Sequence, residues 1–148
     1  MKKIINSMKL EIVAESINES FARTAVAAFA SQLDPTLDEI NDLKTAVSEA
    51  VTNCVVHANT KNVVIESILW RVGDNERGIT VTVTDFGIGI ANIEKALEPF
   101  FTTKPDQERS GMGFTVMQSF MDSLKVFNAR DVNSKDSGTV VEMIKVFA

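Results

Sequence analysis

From Ile79 to Thr84, apolar and polar residues alternate, with Ile79, Val81 and Val83 on one side and Thr80, Thr82 and Thr84 on the other. A period of two predicts a half-buried β-strand. The apolar side then receives Asp85 where another valine would fit, and glycines follow at 87 and 89. Leu10, Ile12 and Ala14 alternate likewise with Lys9, Glu11 and Val13, which predicts a first strand over Lys9 to Ser16. Asn18 is placed to cap a helix with Phe21, Ala25, Ala28 and Phe29 inward, ending before Asp34-Pro35. Thr36 and Glu39 have the spacing of a capping box. They open a longer helix whose apolar positions 37, 40, 43, 47, 51, 54 and 55 keep helical spacing.

Asn62 to Arg71 is rich in β-branched and aromatic residues, and the segment from Gly73 to Gly78 turns it into the Ile79 strand as a hairpin. A short helix is predicted near Asn92 to Leu97, then a polar segment from Thr102 to Ser110. A third helix follows Gly111-Met112-Gly113 to about Met121, and Ser123 to Asn128 and Gly138 to Phe147 read as the last strands. No repeat or low-complexity linker interrupts the chain. The order predicts an α+β two-layer sandwich, a mixed and mostly antiparallel sheet with helices on one face, as a single domain over residues 1–148.

Composition narrows the setting. The chain has 148 residues, 45% of them apolar and 24% charged, enough to bury a core and too balanced for disorder. No segment approaches the roughly 20 apolar residues that span a bilayer, and the basic N-terminus lacks the apolar length of a signal peptide. The one cysteine, Cys54, has no internal partner, which predicts a reducing cytoplasm. A net charge of −5 without a basic block disfavours direct nucleic-acid binding and membrane surfaces and leans towards a basic protein partner.

Asp85 carries the first chemical signal. A buried carboxylate without a donor costs several kcal/mol, so it either caps a turn, meets a core arginine or faces a ligand. Gly87 and Gly89 strip side chains from the adjoining backbone and permit a flat ligand's close approach. The second signal is Arg109-Ser110-Gly111-Met112-Gly113 before a helix, where free N–H groups and the helix dipole suit phosphate. It lacks the Lys-Ser/Thr of a Walker loop and the spacing of a dinucleotide fingerprint. The third is Glu49, Asn53 and His57, four residues apart on one helix flank. The Glu49 and Asn53 oxygens suit a hard cation such as magnesium, and a single histidine rules out a histidine-cluster metal site.

Taken in order, Glu49-x-x-x-Asn53, Asp85-x-Gly87-x-Gly89, Gly111-x-Gly113 and Gly138-Thr139 resemble the ATP-binding superfamily of gyrase, Hsp90, histidine kinases and MutL. A closer resemblance covers nearly the whole chain. Asn18-Glu-Ser-Phe-Ala-Arg23, Gln32-Leu-Asp-Pro-Thr36, Val47-Ser-Glu-Ala-Val-Thr-Asn53, Phe101-Thr-Thr-Lys-Pro105 and Glu108-Arg-Ser-Gly-Met-Gly-Phe114 are similar to the anti-sigma-F factors of spore-forming bacteria. The resemblance implies a Bergerat-type ATP-binding fold, ATP or ADP with magnesium as cofactors, and a homodimer. It further implies sequestration of the sporulation sigma factor and phosphorylation of an anti-anti-sigma protein on serine. By the same resemblance Asp85 accepts from the adenine amine, with Gly87, Gly89 and Thr139 completing that end. Asn53 holds magnesium, and Thr102, Thr103 and Lys104 with Arg109, Ser110, Gly111, Met112 and Gly113 cover the phosphates. Glu49 is the implied general base and Arg23 the implied partner-facing residue.

The chain departs from the family where His57-Ala58-Asn59 runs quickly into the next strand, where Ala58 holds a position often glycine, and in a longer hairpin around Asp74. Four competing functions share these motifs. An ATP-driven conformational machine would require a transducer domain, and a histidine-kinase catalytic domain an upstream phosphoacceptor helix. A kinase for a stress-response sigma factor and a nucleotide-dependent binding module without phosphotransfer remain as alternatives.

Overall fold

The computed structural model describes residues 1–98 and 113–148. In chain order these form β1 (Lys2–Val13), α1 (Ile17–Ala30), α2 (Leu37–His57), β2 (Asn62–Val72), β3 (Glu76–Asp85), α3 (Ile93–Ala96), α4 (Gly113–Phe120), β4 (Ser123–Asn128) and β5 (Thr139–Phe147), with single 3-10 turns at Ser31–Leu33 and Ala129–Asp131. The five strands make one sheet in the order β1-β2-β3-β5-β4, and every described ladder is antiparallel.

Register explains the two faces. Leu10, Ile65, Val83, Val141 and Val126 stand side by side across all five strands, an unbroken apolar row under the helices. One step towards the strand ends, Ile12 and Val63 align with Asp85, so the carboxylate lies on the core side at the rim of this row. On the opposite face Lys9, Glu66, Thr82, Glu142 and Lys125 form a polar row in which Lys9 pairs with Glu66 and Glu142 with Lys125, the cross-strand pairing expected where a sheet meets water. α2 covers the inner face with Leu43, Ala46, Val47, Ala50, Val51 and Cys54, all buried.

The capping box is present in full: Glu39 N–H donates to Thr36 Oγ1 at 3.1 Å, and Thr36 N–H donates to the Glu39 carboxylate at 2.8 Å. The periodic stripe begins later than expected, because Leu37 in the first turn is 75% exposed. α1 is rotated from its expected orientation. Ala22, Val26, Phe29 and Ala30 are buried, whereas Phe21 is 55% exposed. Both stripes have helical spacing in this alanine-rich helix, and packing against α2 selects between them. Asn18 is not the cap; it lies inside α1 and its amide donates to the Val13 carbonyl at 2.9 Å, tying the helix to the end of β1. β1 starts seven residues before the expected Lys9. Its first half is an exposed edge paired with β2 past a register shift at Ile4/Asn6, so neither of its faces had to alternate. Arg77 on β3 donates to the Leu33 and Asp34 carbonyls, and Asp34 itself takes φ 52°, which fixes the reversal between α1 and α2. No helix among the described residues is long and apolar enough to cross a membrane.

Candidate functional site

β3 delivers Asp85 to the inner face and ends there. The carboxylate is 4% exposed. Its Oδ1 accepts the N–H of Gly87 at 3.0 Å and that of Thr139, the first residue of β5, at 3.2 Å. On its other oxygen the Cys54 thiol, one turn before the end of α2, is a weak donor at 3.9 Å. Burial pushes the Asp85 pKa up, and the two backbone N–H bonds oppose that shift. Burial, together with the neighbouring Asp85 charge, also raises the Cys54 thiol far above the usual range, so it stays protonated. Among the described residues no arginine or lysine pairs with Asp85; backbone N–H groups and the thiol are its partners there.

The glycines are there for contact as much as for conformation. A side chain on Gly87 would begin 1.6 Å from the Ala58 carbonyl oxygen, the atom that accepts the Ile88 N–H at 2.9 Å. Gly89 takes φ 77° and Gly138 φ 101°, and a side chain on Gly138 would begin 2.0 Å from the Asp85 carbonyl. Ala58 closes α2 with helical φ, and Asn59 takes the left-handed conformation at φ 54°, so the chain reverses without the glycine absent from position 58. The backbone from Asp85 to Ile90 therefore lies directly against both the end of α2 and the start of β5.

The second cluster sits one turn back along α2. A side chain on Gly113, the first residue of α4, would begin 3.1 Å from Asn53 Oδ1 and 3.4 Å from Glu49 Oε2. Glu49 and Asn53 are half-buried, and Gly113 is buried. Both oxygens face the first residue of α4 at a helix N-terminus, where backbone N–H groups and the dipole favour negative charge. Among the described residues no three His, Cys, Asp or Glu side chains form a metal-holding group. A magnesium ion held by one or two protein oxygens, phosphates and water fits this donor set.

Arg23 stands apart from both clusters. It is half-exposed on α1, paired with Glu19 at 3.1 Å, and lines a shallow depression with Asn41, Lys44, Thr45 and Ser48 of α2. Thr102, Thr103, Lys104, Arg109, Ser110, Gly111 and Met112 lie outside the described residues.

The chain matches the histidine kinase-like ATPase domain family over residues 13–145. It is 54% identical to the anti-sigma F factor of Clostridium acetobutylicum over 143 residues, which is 97% of this chain and 95% of the relative. The anti-sigma F factor of Caldanaerobacter subterraneus is 54% identical over 140 residues, 95% of this chain and 93% of that one. The chain belongs to the anti-sigma F factor family of histidine kinase-like ATPases. A mycobacterial sensor histidine kinase, MprB, superposes with a TM-score of 0.52 at 17% identity, covering 95% of this chain and 98% of its own. That likeness is one of fold alone, and the fold is the Bergerat-type ATP-binding sandwich.

Within this family frame, the expected adenine-end residues Asp85, Gly87, Gly89 and Thr139 are brought together, and so are Glu49, Asn53 and Gly113. α2 joins the two groups, because Asn53 faces Gly113 while its neighbour Cys54 faces Asp85. Reading the residues did not place Cys54, Asn128 or Ser137 at the site. Asn128 bonds the backbone of Ile90, and the Ser137 hydroxyl donates to the Phe86 carbonyl at 3.2 Å. The available signal was weak: Cys54 directly follows Asn53, and Ser137 directly precedes Gly138-Thr139.

Proposed function

We propose that this protein is an ATP-dependent serine kinase that sequesters a sigma-F-type sigma factor and phosphorylates its anti-anti-sigma partner, acting as a cytoplasmic homodimer. The observation that carries the kinase reading is the sharing of α2 by both clusters. One helix sets Glu49 and Asn53 beside the α4 N-terminus and brings its next turn against the carboxylate of Asp85. The sigma-binding half rests on the anti-sigma F relatives.

In this reading Asp85 accepts the adenine amino hydrogen, with Gly87, Gly89 and Thr139 leaving room for the flat base. Gly113 and the residues just before it donate N–H groups to the phosphates. Asn53 holds magnesium, which when bound neutralises phosphate charge. Glu49 takes the proton from the attacking serine hydroxyl as the oxygen bonds to the γ-phosphorus and ADP leaves. Ser48 lines the depression beside Arg23 and adjoins Glu49 in the chain, so the surface that would hold a partner at Arg23 lies on the same helix as the proposed base.

Single-turnover transfer from ATP to the anti-anti-sigma protein tests this. Glu49→Gln should slow transfer by roughly 10²–10⁴-fold while nucleotide and sigma-factor binding persist. Arg23→Ala should weaken capture of one or both proteins and leave ATP affinity unchanged. Transfer by Glu49→Gln at the parent rate would remove the base assignment.

A further inference from the structure

Asn128 is the last residue of β4 and is 6% exposed. Its carboxamide makes two bonds to one residue across the β3–α3 loop: Oδ1 accepts the Ile90 N–H at 2.7 Å, and Nδ2 donates to the Ile90 carbonyl at 2.8 Å. The sheet order explains why a side chain is required there. β5 lies between β3 and β4, so the loop leaving Asp85 crosses the start of β5 before it reaches the end of β4. Among the described residues no strand pairs with Ile90, and the Asn128 amide supplies the donor and acceptor that a strand would. Gly89 makes room for it: a side chain there would begin 2.8 Å from Asn128 Oδ1. The loop is held at its near end by the Gly87 bond to Asp85, at its middle by Ile88 on Ala58, and at its far end by Asn128. Of these ties, the one to Asn128 is made by a side chain that stands outside the adenine-facing residues themselves.

We infer that Asn128 is a positioning residue for base recognition: its double bond to Ile90 sets the depth of the 86–90 loop, so that the Asp85 carboxylate and the loop backbone meet the 6-amino edge of adenine. The inference rests on the nucleotide reading of Asp85 given above. A buried amide that only stabilised the fold would affect all nucleotides alike. A positioning amide affects those that use the amino group.

The test is calorimetric titration of the full chain with ADP and with IDP, which carries a carbonyl in place of that amino group. The parent should prefer ADP. Asn128→Asp keeps an acceptor for the Ile90 N–H but sets an oxygen against the Ile90 carbonyl, and Asn128→Ser keeps one shorter polar group. Asn128→Asp should lower ADP affinity about tenfold or more and bring the ADP/IDP ratio towards one, with Asn128→Ser intermediate. An unchanged ratio, or equal losses for both nucleotides, overturns the inference. Asp85→Asn separates the two levels of the argument. If it leaves the ratio intact, the nucleotide reading fails and Asn128 falls with it; if it collapses the ratio while the Asn128 variants do not, only the inference about Asn128 fails. Hydrogen exchange on the unaltered protein serves where a variant does not fold. The Ile90 amide should be protected before ADP is added, and rapid exchange until ADP arrives overturns a pre-set loop.

Discussion

Asp85 lies 4% exposed among backbone donors from Gly87 and Thr139, whereas Glu49 and Asn53 stand half-buried on the side of α2 against Gly113. The Asp85 end is made mostly of backbone: Gly87 and Gly138 abut main-chain carbonyls, and the two shorter hydrogen bonds to the carboxylate come from N–H groups. The Gly113 end is made of side chains projecting from one helix: among the described residues, a side chain on Gly113 would first meet a movable amide and carboxylate. An end built of backbone cannot adjust to a change without moving secondary structure, which suits recognition of a rigid base. An end built of side chains can change its chemistry while the fold stays put, which suits proton transfer and metal binding.

The largest contrast comes from adding one methyl group at each end. Gly87→Ala would put carbon 1.6 Å from the Ala58 carbonyl oxygen and displace the Ile88 hydrogen bond to the same atom. Overpacking and the lost bond together should cost roughly 2–4 kcal/mol, read as a lowered urea midpoint. Gly113→Ala meets Asn53 Oδ1 at 3.1 Å, a side-chain atom that can turn aside. Its cost should stay under about 1 kcal/mol, while phosphotransfer falls. Equal destabilisation by the two alanines would erase the distinction between the ends.

Asp85→Asn sharpens the same contrast within the buried end. Burial raises the native pKa of Asp85 above its ordinary value near 3.8, so the folded protein holds this proton more tightly than the unfolded chain does. The associated stability is fully present below that ordinary value and is lost as pH rises through the native one. Above its native pKa the ligand-free protein carries the ionised carboxylate at a cost. Asparagine removes that cost and should flatten this part of the pH–stability profile, leaving melting at pH 7 unchanged or higher. ADP affinity should nevertheless fall roughly 10- to 100-fold, the worth of a hydrogen bond to a charged group. A melting temperature that falls at pH 7 would mean Asp85 serves the fold more than the ligand.

The smallest effect belongs to Asn53→Ala, at the side-chain end. Titrated without magnesium, ADP should bind within about twofold of the parent, since no backbone moves. Added magnesium should tighten the parent and not the variant. Loss of metal-free binding would show that Asn53 also supports the pocket walls.

Much of the fold was legible because its signals are local. Thr36 and Glu39 sit three residues apart, and their capping box forms whatever the rest of the chain does. The alternation of β3 reports its own burial, and the bounds of β4 follow from the turn residues around it. The first half of β1 was missed because an exposed edge strand leaves no apolar period. Phe21 lies outward although its spacing suits an inner stripe, because α1 offers two acceptable stripes. At the site, the four motifs that mark nucleotide binding were visible as residues, and the inward charge of Asp85 could be read from its place on the apolar side.

What the sequence by itself determined is the set of elements, the family and the residues that carry charge or omit a side chain. Only the tertiary structure decided which of them meet. Asn128 reaches Ile90 at a separation of 38 residues, and Thr139 reaches Asp85 at 54, because β5 is inserted between β3 and β4. Strand order is settled by the whole sheet burying its apolar rows together, and no local pattern of residues states it. The same holds for Cys54, a small buried helix residue in the sequence, whose place beside the carboxylate exists only because α2 lies across the end of β3.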